Sequence, residues 1–180
     1  MKFVLIAAPF LLAACSDGRS QIPAPTKIEP LSASDQSSNA GKLRQFVDQE
    51  CFDRLDDVQA FETGLKSIGW PYKRSQTADP ENRLALDVWE LPGVTLIRGQ
   101  PVKAGVWTCT LAVKPSVAPP ADKLKTELSK LTNGAQEGSD GWWWKRSRNN
   151  KLHMDVNESA QGATINIENY HLPWWQSLLE

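Results

Sequence analysis

Hydrophobic and polar residues alternate with different periods along the chain, after a first segment that is almost entirely apolar. Residues 3–12 form an apolar run that only Pro9 interrupts. A membrane-spanning helix needs about 20 such residues, so this run is too short to span a bilayer. A short apolar run behind the positive charge of Lys2 is typical of a secretory signal peptide. Residues 16–40 are rich in Ser, Pro, Ala and Gln without periodicity, which predicts a disordered tether.

Three later stretches have apolar residues at helical spacing. We expect Asp56 or Asp57 to cap the second helix and Gly69 to end it. Asn133 and Gly134 are expected to end the third helix, which opens after two prolines. The three apolar stripes are Leu43, Phe46, Val47 and Cys51; Val58, Phe61, Leu65 and Ile68; and Leu124, Leu128 and Leu131.

A period of two residues predicts six strands, at 84–91, 94–98, 106–114, 142–148, 151–156 and 163–170. The alternation is clearest in the third strand, where Trp107, Cys109 and Leu111 share one face. Residues 74–83 are predicted to form a loop. The order ααβββ-αβββ favours an α+β domain with an antiparallel sheet of five to six strands and helices mainly on one face.

The apolar run ends in Leu12-Ala13-Ala14-Cys15, which resembles the lipobox of bacterial lipoproteins. The resemblance implies that residues 1–14 are removed and that Cys15 carries diacylglycerol and, at its new N-terminus, an acyl chain such as palmitate. Ser16 after the cysteine implies delivery to the periplasmic face of the outer membrane. An ordinary secretory signal that contains a cysteine is the alternative. The predicted organisation is a signal peptide (1–14), a lipidated cysteine with its tether (15–40) and one periplasmic domain (41–180).

The other two cysteines, Cys51 and Cys109, form an even pair for an oxidising compartment. We expect a structural disulfide that closes a loop of about 58 residues, worth roughly 4 kcal/mol. It requires the first helix to pack on the face of the sheet that carries Cys109. The alternatives are two buried free thiols or a redox pair, although the chain has no Cys-x-x-Cys spacing.

The eight tryptophans are the compositional peculiarity of the chain. In a strand, Trp142 and Trp144 share one face and Trp143 takes the other, so at least one of them meets solvent, a partner or the C-terminal segment. One hypothesis is an aromatic surface that binds a glycan or a peptide. The alternative is that Trp174 and Trp175 fold back and cover the triplet.

Basic residues follow the triplet, namely Lys145, Arg146, Arg148 and Lys151. They favour contact with anionic polymers or lipid head groups, or else form a solvated hairpin edge that blocks strand addition. The formal net charge is only −1, and it becomes −2 when Lys2 leaves with the signal peptide. No overall attraction to nucleic acid or to an anionic bilayer is therefore expected.

Candidate catalytic residues are few. His153 and Asp155 lie two positions apart on a predicted strand, where a carboxylate can orient an imidazole, but no nucleophile motif accompanies them. The sequence has no metal-ligand spacing and no cofactor motif. We therefore expect a non-enzymatic binding or adaptor module that meets an envelope protein or a cell-wall polymer, without nucleic acid, metal or cofactor. The alternatives are an inhibitor of a cell-wall hydrolase, similar to lysozyme inhibitors, and a hydrolase that uses His153 and Asp155.

Overall fold

The structure is a computed structural model that describes residues 27–70, 73–79, 84–101, 105–147 and 150–171. The predicted signal peptide, Cys15, Arg148, Trp174 and Trp175 lie outside the described residues. The described helices are α1 (Gln36–Phe46), α2 (Val58–Ser67) and α3 (Ala121–Ser129), and a π-helical turn, Val47–Phe52, continues α1. The strands are β1 (Lys73–Asp79), β2 (Leu84–Leu91), β3 (Val94–Pro101), β4 (Val106–Val113), β5 (Trp142–Ser147), β6 (Asn150–Ser159) and β7 (Gly162–His171).

The seven described strands form one sheet in the order β1-β2-β3-β4-β7-β6-β5, and every neighbouring pair is antiparallel. The three helices contribute apolar side chains to a single core, together with alternate residues of β2 to β7. The helices thus cover one face of the sheet, here called the inner face. The predicted α+β class with an antiparallel sheet and helices on one face is confirmed.

The disulfide between Cys51 and Cys109 is also confirmed, with a Cα–Cα distance of 5.7 Å. Cys51 lies in the π-helical turn after α1, and Cys109 points from the middle of β4 into the core. The bond therefore joins the helical layer directly to the centre of the sheet. The first helix packs on the face that carries Cys109, as the pairing required.

Strand β1 occupies part of the segment that the sequence predicted as a loop, so the sheet has one strand more than the expected five or six. It pairs with β2 in continuous register, from Lys73 opposite Glu90 to Asp79 opposite Leu84. Its sequence, KRSQTAD, has no apolar alternation. An edge strand is held largely by main-chain hydrogen bonds, so the pattern of apolar and polar side chains does not predict it.

The predicted tether is too long at its C-terminal end, because the fold already includes residues before Gly41. Ile28 is 1% exposed in the core, and its carbonyl accepts a 2.9 Å hydrogen bond from Trp70 Nε1. Helix α1 begins at Gln36, five residues inside the predicted tether, and the side chain of Asp35 caps it. The sequence does not reveal this segment as part of the fold because it has few apolar residues. Hydrogen bonds and a helix cap hold much of it instead.

Helix α2 matches its prediction closely. Asp57 is the capping residue of the two candidates, and its carboxylate accepts a hydrogen bond of 3.0 Å from the backbone N–H of Ala60. The apolar stripe of the helix enters the core through Phe61 and Leu65. Phe61 packs against Trp89 of β2, with 5.2 Å between ring centroids.

A buried ion pair lies beneath α2. Arg54 Nη1 donates to Glu50 Oε1 at 2.7 Å, and both side chains are almost completely buried. A side chain on Gly64 would not fit here, since its Cβ would lie 2.3 Å from Glu50 Oε2. Burial raises the pKa of Glu50 to about 7 from an ordinary value of 4.5, and this outweighs the opposing effect of Arg54.

We expect this carboxyl to make the fold less stable as the pH rises. Between pH 4.5 and about 7 the unfolded chain loses the Glu50 proton while the folded chain still holds it. Linkage then lowers the free energy of unfolding by up to ~3 kcal/mol across that window. Urea unfolding at several pH values measures the slope, and Glu50→Gln should remove this contribution. An unchanged pH slope in the variant would contradict the assignment.

Candidate functional site

The face of the sheet opposite the helices, here called the outer face, carries the candidate site. Strands β5, β6 and β7 place Trp143 opposite His153 and His153 opposite Glu168. Lys151 lies opposite Tyr170 in the next row on the same face. We call Trp143, Lys151, His153, Glu168 and Tyr170 the outer-face cluster. Among the described residues Trp143 is the one large hydrophobic side chain that is exposed, at 37%.

The tryptophan triplet is divided between the two faces, as the strand period predicted. Trp142 is buried in the core, and Trp144 packs partly buried against it. The Trp144 ring meets Phe52 of the π-helical turn edge-on, at a centroid distance of 5.5 Å. These two tryptophans therefore stabilise the fold, and Trp143 is the most exposed member of the triplet.

Aromatic stacking organises the cluster. The indole of Trp143 stacks on the imidazole of His153 at 4.1 Å and 19°, and lies 5.6 Å from the ring of Tyr170. Lys151 Nζ lies 4.9 Å from the centroid of the indole, within the range of a cation–π interaction. The indole thus has a fixed position and a cation beside it.

Hydrogen bonds fix the same rings. His153 Nδ1 lies 3.1 Å from Glu168 Oε2, and its Nε2 lies 2.7 Å from the backbone carbonyl oxygen of Asp140. Tyr170 donates its hydroxyl to Glu168 Oε2 at 2.6 Å, and Trp143 Nε1 donates to Asp140 Oδ2 at 2.9 Å. Both nitrogens of the imidazole are therefore engaged with acceptor groups of the protein.

Two members of this network have displaced pKa values. The Trp143 N–H bond to Asp140 lowers the pKa of that carboxyl, so Asp140 is a carboxylate at neutral pH. Burial, followed by the effect of Glu168, raises the pKa of Tyr170 to about 12. Tyr170 consequently stays a neutral hydroxyl donor over the physiological range.

A cleft of about 350 Å³ adjoins the cluster, between β6 and the segment that leads from α3 to β5. Gly141 lets this segment lie against β6, because its φ is +106° and a Cβ there would come 2.2 Å from the carbonyl oxygen of Met154. The lining residues are Lys125, Glu137, Gly138, Ser139, Asp140, Gly141, His153, Asp155, Val156 and Asn157. His153 and Asp140 belong to both the cleft and the network of the cluster.

The carboxylate beside His153 is not Asp155, which the sequence offered as one possible partner. Both side chains lie on the outer face, but Glu168 of β7 is the carboxylate that contacts the imidazole. Asp155 Oδ1 instead accepts hydrogen bonds from Asn157 at 2.6 Å and Asn166 at 3.0 Å. Register between β6 and β7 decides the partner, and a single sequence does not give that register.

The predicted basic residues are placed only in part. Lys145 is exposed on β5, and Lys151 belongs to the outer-face cluster. Arg146 belongs to β5, but its side chain and the whole of Arg148 lie outside the described part of the chain. Sequence reasoning missed Asp140, Glu168 and Tyr170. The alternation of β7 indicates the last two, because Glu168 and Tyr170 alternate along the strand with inward-facing Ile167 and Asn169.

Within the described ranges no group of three or more His, Cys, Asp and Glu side chains is arranged to hold a metal ion. None of the helices described is both long and apolar enough to cross a membrane. Comparison of the chain with protein-family models, with curated proteins and with solved structures gives no match.

Proposed function

We propose that this chain is a non-enzymatic binding module of the bacterial cell envelope, which binds a cell-wall polymer through the outer-face cluster. One observation carries the proposal: a large, exposed aromatic side chain is held in a fixed position on the outer face of the sheet. Trp143 is 37% exposed although its ring and its N–H both have partners within the protein. Such rings are recurrent anchors of binding surfaces.

The rigidity of Trp143 favours binding because less side-chain freedom is lost when a ligand arrives. The ring is held by His153 on its face and by Asp140 at its nitrogen. Sugar rings of a wall polymer present C–H groups that pack on an indole, and hydroxyl groups that reach neighbouring acceptors. Asp140, which accepts the hydrogen bond of the indole nitrogen, lines the adjoining cleft together with Asp155.

The contacts of the two ring nitrogens of His153 favour a binding role over a catalytic one. A general acid or base needs a ring nitrogen within hydrogen-bond reach of the substrate. Here Nδ1 meets Glu168 and Nε2 meets the Asp140 carbonyl. The imidazole therefore serves as a support for Trp143 in this proposal.

We place the module on the periplasmic face of the outer membrane, attached by lipid on Cys15. The proposal is supported by the lipobox-like sequence before Cys15 and by a disulfide between the other two cysteines, which suits an oxidising compartment. Two or more acyl chains give a lasting attachment, since each buried methylene contributes about 0.8 kcal/mol. Mass spectrometry of the protein purified from bacteria tests this, and an unmodified residue 15 would refute it.

Replacement of Trp143 by alanine is expected to weaken binding to purified peptidoglycan by about 30-fold, the effect of losing a central aromatic anchor. Co-sedimentation of the full chain with wall sacculi in detergent measures the bound fraction. Thr95→Ala is the matched control, because Thr95 lies on the same face in β3, four strands from β5 in the sheet order. If the Trp143→Ala variant sediments like the wild-type chain, the proposed site is wrong. If it instead loses a co-purifying envelope protein, the partner is a protein and not a polymer.

A further inference from the structure

We infer that the outer-face cluster and the adjoining cleft together recognise an electrically neutral saccharide unit. The inference rests on the proposed function and narrows its ligand from wall polymers in general to their uncharged sugar residues. Carboxylates line the cleft and a lysine lies beside the exposed indole, so each part of the site disfavours one class of charged ligand.

The cleft disfavours anions. Asp140 and Asp155 line it, and the donors that hold their carboxylates are neutral, namely the Trp143 indole and the amides of Asn157 and Asn166. The lysine in the lining, Lys125, is already paired with Glu137 at 2.6 Å, and both ring nitrogens of His153 already face acceptor oxygens of the protein. A phosphate or carboxylate group of a ligand would therefore meet negative charge in the cleft.

The aromatic part disfavours cations. Lys151 Nζ already occupies a position 4.9 Å from the centroid of the Trp143 ring. An ammonium group of a ligand that approached the same ring would be repelled by this lysine, as like charges at short range are. Lys151 thus already makes the cation–π interaction that the indole of Trp143 could form with a cationic ligand.

A neutral pyranose ring satisfies both parts at once. Its C–H face can lie on the exposed indole, and its hydroxyl groups can donate to the carboxylates of Asp140 and Asp155. Hydrogen bonds to ionised acceptors are roughly twice as strong as those between neutral groups. A cleft of about 350 Å³ lies at the small end of ordinary ligand sites and suits one sugar unit.

The acceptors are also held in place before a ligand binds. Asn157 and Asn166 both donate to Asp155 Oδ1, and Trp143 Nε1 fixes Asp140. Little rearrangement is therefore needed, which preserves affinity for a small ligand.

Three tetrasaccharides of matched length test the inference against the full chain in detergent micelles. The probes are chitotetraose, which is neutral, its fully de-N-acetylated form, which is cationic, and tetragalacturonate, which is anionic. Isothermal titration calorimetry and saturation-transfer NMR measure binding. We expect chitotetraose to bind at least tenfold more tightly than either charged probe. Asp155→Asn and Trp143→Ala should each weaken it about tenfold or more, and Thr95→Ala should leave it unchanged.

The outcomes separate this inference from the function on which it rests. Tighter binding of a charged probe, or chitotetraose binding that ignores Asp155→Asn, overturns the inference. Sacculi that bind in a Trp143-dependent way while chitotetraose fails also overturn it, and the proposed function stands. Failure of the sacculi and of all three probes overturns both.

Discussion

Replacement of both Cys51 and Cys109 by alanine is expected to lower the free energy of unfolding by roughly 4 kcal/mol. The bond closes a loop of 58 residues, so its loss gives the unfolded chain much conformational freedom. Both residues are fully buried, and Cys109 lies at the centre of the inner face between Arg98 and Ile167. For a domain of this size the midpoint of thermal unfolding should fall by about 8–16 °C.

Urea unfolding with and without dithiothreitol separates the bond from the packing of the two side chains. Reduction should bring the wild-type chain close to the stability of the double variant, and the double variant should not respond to reductant. A wild-type chain whose unfolding midpoint is the same in dithiothreitol would show that the bond adds nothing. A variant much less stable than the reduced chain would assign the loss to packing instead.

Replacement of Arg98 by methionine is expected to cost about 3–5 kcal/mol, since it removes the cationic partner from a buried ion pair. Arg98 is fully buried on β3, and its Nη1 lies 3.4 Å from Asp87 Oδ2 on the neighbouring strand. Its Nε donates to the carbonyl of Leu55 at 2.7 Å, and its guanidinium lies 4.7 Å from the centroid of Trp107. The side chain thus connects the loop before α2 to the inner face of the sheet.

The variant Arg98→Met with Asp87→Asn tests the cause of that loss. If the buried negative charge of Asp87 is responsible, the second substitution should restore a large part of the stability that the first removes. Urea unfolding of the two single variants and the double variant gives the coupling free energy. A loss below 1 kcal/mol for Arg98→Met, or strictly additive effects, would contradict this role for the pair.

The sequence predicted those elements in which apolar residues mark the buried positions. The alternation of Trp107, Cys109 and Leu111 placed β4 in the sheet and gave its buried face, and the disulfide then placed α1 on that face. The strand period also separated Trp143 from Trp142 and Trp144. Which face is open depends on where the helices pack, and Cys109 was the residue that settled it.

Other features could not be predicted because main-chain pairing or register determines them. Strand β1 forms on the edge of β2 without an apolar pattern of its own. His153 meets Glu168 and not Asp155 because residues on adjacent strands approach more closely than residues two apart on one strand. The Asp140 contacts arise from a loop that folds back on β6, where sequence spacing is uninformative.

The most direct test of the proposed binding surface is hydroxyl-radical footprinting of the full chain, with and without wall sacculi. The oxidation rate of Trp143 should fall severalfold when sacculi are added, with a smaller decrease at half-buried Tyr170. Trp142, buried in the core, serves as the internal reference that should not change. Oxidation of Trp143 at the same rate in both samples, with the chain shown to be bound, would contradict the assignment of the outer face as the binding surface.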